Sequence, residues 1–445
     1  MTDLTVSVII VSRARPDALR RCLSAVAQLQ YRPFEVVVVA CPQGVAVTEE
    51  ADVLRDLKCI AFDEANISAA CNLGLTHAAG EIVAFIDDDA VPEPQWLHHL
   101  VAPAARSDVA AMGGYVRGRN GISFQYKART LDAQGTPMDV EIDPLQATVL
   151  VPPKGRAIKT EGTNMAFRRD ALIAIGGFDH AFRFYLDETD VNMRLARAGY
   201  ATALVPLAQV HHGFAASAMR RADRAPRDLY EIGASWAVFQ RKHMPKDDCA
   251  AHWQGVVDHE RCRVLAYMVA GRLEPRDVRR LMKRLREGYA EGQERRLASP
   301  AQPWHGMRFC RSDLSIRRRV SGFTAVRGFR GTAAIEAAAA RAAQGSIETV
   351  LVLSFTALYH RVFFDPRGVW VQRGGLFGRA NRDAPLFRLT TLSRRSKRER
   401  ARIAALRGLD DSYMMVLFPN CLQFNFIGHI RAVILGHTVR QSGPE

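Results

Sequence analysis

The stretch EIVAFIDDDAVPEP (81–94) ends an apolar run in three adjacent carboxylates, Asp87, Asp88 and Asp89. Like charges this close repel one another, and burial without partners raises their pKa values. A divalent cation relieves both problems. Hard oxygen donors suit Mg²⁺ or Mn²⁺, ions that bridge one or two carboxylates to substrate phosphates. The competing reading is an exposed acidic turn that merely closes a strand.

Two more polar stretches stand at the ends of apolar runs: SRARP (12–16) after TVSVIIV, and ACPQG (40–44) after FEVVVV. In an open parallel sheet, ligands bind beyond the carboxyl ends of the strands. All three stretches are therefore expected to open onto one crevice.

The elements that must carry them alternate. Strands are expected at 5–11, 34–40, 59–62 and 81–86, with helices at 16–30, 46–57 and 68–79, the last ending at Gly80. Pro16 suits a first helical position, and the unbroken FEVVVVA reads as a strand covered on both faces. This alternation predicts an α/β fold with a mostly parallel, doubly wound sheet flanked by helices. Past residue 112 the chain turns Gly-rich and polar, with long loops and short strands. Helices are expected at 168–175 and 188–198, basic helices at 226–298, and an Arg/Gly/Ser-rich linker at 300–332. From 347 the pattern is strand-like, and DPRG between RVFF and VWVQ reads as a hairpin turn.

At 445 residues, 48% hydrophobic and 24% charged, the chain is globular and long enough for more than one domain. The expected division is 1–240, a basic helical segment 241–300, and a C-terminal accessory region 301–445. No apolar run reaches a membrane span; VLVLSFTALYHRVFF is interrupted by His360 and Arg361. The N-terminal residues do not read as a secretory signal. Eight cysteines without CxxC spacing argue for a reducing compartment and against structural zinc. Residues 1–240 carry a net charge of −4 and residues 241–445 carry +19. The basic half should therefore meet an acidic partner.

VSVIIVSRARPDAL (6–19), SAACNLGLTHAAGEIVAFIDDDAVPEPQWL (68–97), GTNMAFRRDALIAIGGFD (162–179) and YLDETDVNMRLARAGY (185–200) stand in the order and spacing of a known family. Together they resemble the family 2 glycosyltransferases over roughly residues 5–240. That resemblance implies the GT-A fold and inverting transfer of a sugar from a nucleotide diphosphate donor, usually with a divalent metal. It places Ser12 and Arg15 on the nucleotide. Asp87 and Asp89 become the outer members of a DxD-type motif, Asp87 at the ribose or donor sugar and Asp89 on the metal, with Asp88 the variable middle. A metal on the diphosphate would neutralise the leaving charge. LDETDV resembles the family's base motif, with Glu188 as the general base, Asp187 as the alternate and Asp190 as the final acid. Asp190 is also placed to cap the following helix and to pair with Arg194. In AQVHHGF, His211 or His212 would complete the metal shell or touch the diphosphate, and GTNM, with Asn164, would shape the donor pocket. Arg117, Arg119 and Asn120 read as a solvated loop.

Two places depart from the family. Cys41 stands where a base-reading acid is common, and Cys71-Asn72 where an Arg-Asn pair is common. Arg13 or Arg15 could supply the missing charge. The alternative is a non-catalytic scaffold that binds a glycan or partner on a degenerate GT-A domain. Otherwise the implied partners are a nucleotide diphosphate sugar, a glycan or lipid-linked acceptor and, for the basic residues at 261–296 and 393–402, an anionic membrane surface. The chain would then be cytoplasmic, peripheral at the inner face of the membrane. Nucleic acid is supported by charge alone, since no reading motif or stacking pattern accompanies it.

Overall fold

The computed structural model describes residues 4–50, 56–297, 307–311, 320–409 and 415–416. The N-terminal alternation is β1 (Val6–Ser12), α1 (Pro16–Val26), β2 (Phe34–Ala40), α2 (Pro42–Glu50), β3 (Lys58–Ala61), α3 (Ile67–His77) and β4 (Ile82–Asp87). Then come β5 (Ala90–Pro92), β6 (Val109–Arg117), β7 (Asn164–Arg168), α4 (Asp187–Arg197) and the long β8 (Ala201–His212). Strands β4, β1, β2 and β3 pair in parallel; β7 lies antiparallel between β4 and β6, and β8 runs parallel to β6. The expected mixed α/β class with helices on both faces is therefore observed. β2 is buried at every position, as a strand covered on both faces must be, and its one charged residue, Glu35, is met by Ser7 at 2.6 Å and Lys58 at 3.0 Å. The helix expected at 46–57 begins earlier, at Pro42; residues 51–55 lie outside the described residues.

Register explains why the polar stretches converge. Val11 of β1 pairs with Asp87, and Ser12 pairs with Ala40 of β2. β5 folds back antiparallel on the end of β8, pairing His212 with Ala90, one residue past Asp89. The three strand-end segments and the end of β8 thus share one edge of the sheet.

Helices α5 (Tyr230–His243), α6 (Lys246–Val269) and α7 (Pro275–Glu294) follow, as the basic periodicity predicts. The first and last approach closely through glycines. A Cβ on Gly233 would stand 2.0 Å from Leu285 O, and one on Gly288 would stand 1.9 Å from Tyr230 O.

The C-terminal region contains β9 (Ser321–Arg327), α8 (Gly331–Ala343), β10 (Ile347–Ser354), β11 (Arg361–Asp365), β12 (Val369–Gly375), α9 (Leu392–Arg407) and β13 (Met415–Val416). Its sheet order is β11-β12-β10-β9-β13, parallel except for the β11–β12 hairpin, which closes over the predicted DPRG turn. Two expectations need correction. Residues 321–327 of the supposed linker form a central strand, because SGFTAVR alternates apolar side chains into a two-sided core. The basic cluster 393–402, expected to lie on an anionic membrane surface, is exposed only in part, at Arg394 and Lys397 among others. Arg395 and Arg400 are buried, and Arg395 pairs with Glu399 at 2.9 Å. This region also shares a core with the first, in which Ile347, Val362, Phe364 and Trp370 pack with Ala25, Val91 and Ile122.

Candidate active site

The three carboxylates have three different environments. Asp88 is fully buried, accepts from Ser12 Oγ at 2.7 Å and meets Arg15 Nη2 at 2.6 Å. Burial, with Asp89 and Asp87 adding repulsion, outweighs Arg15 and raises its pKa to about 7. Asp89 is equally buried, accepts from the Ala215 amide at 2.7 Å and lies 3.5 Å from Arg15. Burial works against its charge, which Arg15 and that amide favour. Asp87 alone is open, with a side chain 32% exposed, and it accepts from Thr163 Oγ1 at 2.6 Å.

His212 completes the cluster. Its Nδ1 donates to Gln125 Oε1 at 3.1 Å, which leaves Nε2 with a lone pair aimed at the acids. Nε2 is 3.4 Å from Asp89 Oδ1 and 3.9 Å from Asp87. Both Nε2 and Asp89 Oδ1 are buried and lack a hydrogen-bond partner. One donor atom from each of Asp87, Asp89 and His212 lies within 4.8 Å of the others. Two orphaned acceptors facing each other beside a third carboxylate fit a shared divalent cation, and the mixed O/N donor set suits Mn²⁺ or Mg²⁺.

His211 is a correction. Strand alternation turns it to the other face, where Nε2 sits 2.8 Å from Glu93 and the ring lies against Trp370.

The acids at 187–190 are delivered by a strained corner. Tyr185 and Leu186 both adopt left-handed backbone, at φ 74° and 66°, immediately before α4. Asp187 is buried, and its pKa is raised by burial first, then by Glu188, with Asp87 contributing. Glu188 pairs with Lys159 at 3.1 Å and accepts from Thr189 Oγ1 at 3.1 Å. Burial opposes its charge, and Lys159 more than compensates, so its pKa is lowered. Asp190 is a second correction. It is fully buried and satisfied by Arg194, Lys242 and His243 at 2.7–2.8 Å, so it pins α4 to α5 rather than facing the crevice. The expected pairing with Arg194 is present.

The family described as "Glycosyltransferase like family 2" matches residues 4–230, half of the chain. The chain belongs to glycosyltransferase family 2. It is 27% identical over 263 residues to the O-antigen biosynthesis protein RfbC of Myxococcus xanthus, covering 55% of this chain and 20% of that protein. It is 25% identical to the glucosyl-dolichyl phosphate glucuronosyltransferase of Haloferax volcanii, covering 40% and 56%. The chain thus spans about half or less of these relatives' lengths. Among solved structures it resembles GalNAc-T7 with UDP, GalNAc and Mn²⁺ (16% identity, 54% and 48% coverage, TM-score 0.41) and S. aureus TarS with UDP-GlcNAc (16%, 65% and 89%, TM-score 0.40).

Within this family 2 chain, the remaining donor-site expectations divide. Ser12 and Arg15 stand in the crevice, tied to Asp88. Arg13 is turned away to Asp63. Cys41 is buried with its Sγ accepting from the Ala14 amide at 3.2 Å, so it stabilises the first loop from beneath. Asn72 brackets the Phe178 backbone with both amide atoms. Asn164 bonds Trp96, Tyr115 and Ala208. Both asparagines are fully buried, and their side-chain bonds are taken up within the protein, so neither is placed to read a donor sugar. Arg117, expected in a solvated loop, is buried between Gln209 and the Ile122 carbonyl, and burial lowers its pKa to about 9. Sequence reasoning missed Gln125 and Lys159, which sit in two short strands, Phe124–Tyr126 and Arg156–Lys159, too brief for a periodicity to mark them. Thr163 lay unremarked inside GTNM.

Proposed function

We propose that this chain transfers a sugar, with inversion and metal assistance, from a nucleotide diphosphate sugar to a glycan or lipid-linked acceptor. The observation that carries this reading is the orphaned pair His212 Nε2 and Asp89 Oδ1 beside Asp87. Those three residues would hold Mn²⁺ or Mg²⁺, which when bound supplies Lewis-acid neutralisation of the departing diphosphate. Arg15, anchored by Asp88, sets a cation at the crevice edge and replaces the charge missing beside Asn72. Lys159 favours the ionised form of Glu188, which can then accept the acceptor hydroxyl's proton, while burial and Glu188 raise the pKa of the adjacent Asp187. Attack from the side of Glu188, opposite the leaving group, inverts the anomeric carbon.

Curated relatives are named for O-antigen and succinoglycan biosynthesis, which supports surface polysaccharide or glycolipid assembly as the setting. No helix among the described residues is long and apolar enough to cross a membrane. We place the work at an anionic membrane surface and keep the division at 240 and 300, with transferase chemistry in the first part. The scaffold alternative loses its motive, since Cys41 has a structural role and Arg15 supplies the charge.

The deciding experiment is calorimetric titration of Mn²⁺ and nucleoside diphosphates into wild type and Asp89→Asn. Metal-dependent nucleotide binding should appear only in the wild type; equal binding by both would remove the assigned metal role.

A further inference from the structure

The C-terminal sheet has a crevice of its own. Beyond the carboxyl end of β12, a cavity of about 400 Å³ lies between the 378–388 segment and α9. Open α/β sheets bind ligands at this end. Arg379, Arg388, Arg395, Arg398 and Arg402 line it against only Asp383 and Glu399, a surplus of three positive charges. Glu399 is engaged by Arg395 and Arg402 at 2.9 and 3.0 Å. Arg388 has no ion pair among the described residues, and Arg379 Nε is buried without a hydrogen-bond partner. Guanidinium groups gathered this way match phosphate oxygens bidentately.

The rim of the same cavity is apolar and exposed. Leu386, Phe387 and Leu389 flank Arg388 and are 71%, 52% and 78% exposed. Phe377 joins Phe387 to Phe355, which is itself 78% exposed, with ring centroids 5.5 and 4.9 Å apart. Leu358 and Tyr359 continue the patch, with Arg379 stacked over Tyr359. A contiguous exposed apolar patch marks an interaction surface, and apolar side chains around basic ones are what an anionic bilayer interface receives.

We propose that this pocket takes the phosphate of an anionic phospholipid headgroup while the 355–359 and 386–389 side chains enter the bilayer interface. The proposal rests on the membrane-surface reading above and moves the contact from the helices at 261–296 to α9 and the 378–388 segment. Arg382 Nε donates to Ser123 Oγ of the 118–123 loop, and Arg119 of that loop holds the Phe214 carbonyl beside His212. A bilayer seated here is therefore linked to the crevice through one loop.

The test is flotation of the full chain with vesicles of phosphatidylcholine alone and with about one part in five phosphatidylglycerol. Wild type should float with the anionic vesicles only. Arg388→Glu/Arg398→Glu and Leu386→Asp/Leu389→Asp should each lose at least about tenfold in vesicle affinity. Thermal protection by Mn²⁺ with a nucleoside diphosphate, unchanged in both variants, shows that they fold and that donor binding is separate. Wild type that fails to float overturns both the membrane reading and this site. Flotation by the variants equal to wild type overturns the site alone. Protection by inorganic pyrophosphate that the arginine variant abolishes, with flotation untouched, makes this a soluble-anion pocket and ends the lipid assignment.

Discussion

Glu93 and Arg407, 314 residues apart in the chain, meet in a bidentate ion pair at 2.8 and 3.0 Å, each about 2% exposed at the side chain. Arg407 also stacks on Trp370 at 4.2 Å, and Glu93 reaches His211. Burial opposes the charge of Glu93, and Arg407 and His211 hold its pKa well below the usual range. The last turn of α9 is thereby fastened to the end of β5, the strand that follows the acid triplet.

Removing Arg407 strands a buried carboxylate. Arg407→Ala should destabilise the fold by about 3–5 kcal/mol, read from the denaturant midpoint at constant slope. Glu93→Gln in the same chain should recover part of that loss, since the stranded charge is gone. A loss under about 1 kcal/mol would mean that the two regions do not depend on this pair.

The two adjacent histidines should behave oppositely. His212→Ala should abolish Mn²⁺ binding, and His211→Ala should leave Mn²⁺ affinity intact. Gln125→Leu takes away the acceptor that fixes the His212 tautomer and should weaken Mn²⁺ about 10–100-fold. Matching Mn²⁺ isotherms for His212→Ala and wild type would place the ion elsewhere.

Glu188→Gln should keep donor binding while transfer falls by about 10²–10⁴-fold. Lys159→Met leaves Glu188 in place but removes the cation that ionises it, so the acidic limb of the rate profile should move to higher pH. Should Asp187→Asn instead reproduce the full loss while Glu188→Gln turns over normally, the two roles are exchanged.

His360 provides a pH test remote from the crevice. Burial first, then the cation of Arg395, lowers its pKa from 6.5 to about 4. Between those values the unfolded chain binds more protons than the folded one, so stability falls as pH drops through that window. The loss should reach about 3 kcal/mol and be absent above pH 6.5. His360→Gln should flatten this part of the stability curve; an unchanged slope would show that the ring does not stay neutral.

The alternation of the first 90 residues was legible because the sheet is two-sided and its strands are mostly apolar, with the buried Ser7 and Glu35 bonded to each other at 2.6 Å. The acid triplet was legible too, since no folding need explains three adjacent carboxylates. The distribution of labour among them was not. Which acid faces Arg15, which faces Thr163 and which faces His212 depends on β7 and β8, which arrive from distant parts of the chain. Asn72 and Asn164 sat in the right motifs yet serve backbone groups, a distinction that residue type does not carry. The arginines of α9 misled for a similar reason. Charge counts do not show that Glu399, on α9 itself, and Glu93, from the first region, pair with them.

The left-handed corner at Tyr185 and Leu186 is braced from outside the sheet. Trp236 of α5 meets the Tyr185 ring, and Ser235 Oγ donates to the Phe184 carbonyl at 2.7 Å. Behind α5 stands α7, at glycine-close range. The helical pair thus braces the bent backbone from which Asp187 and Glu188 start. Substitutions along the α5–α7 seam accordingly reach the 185–186 corner from a distance.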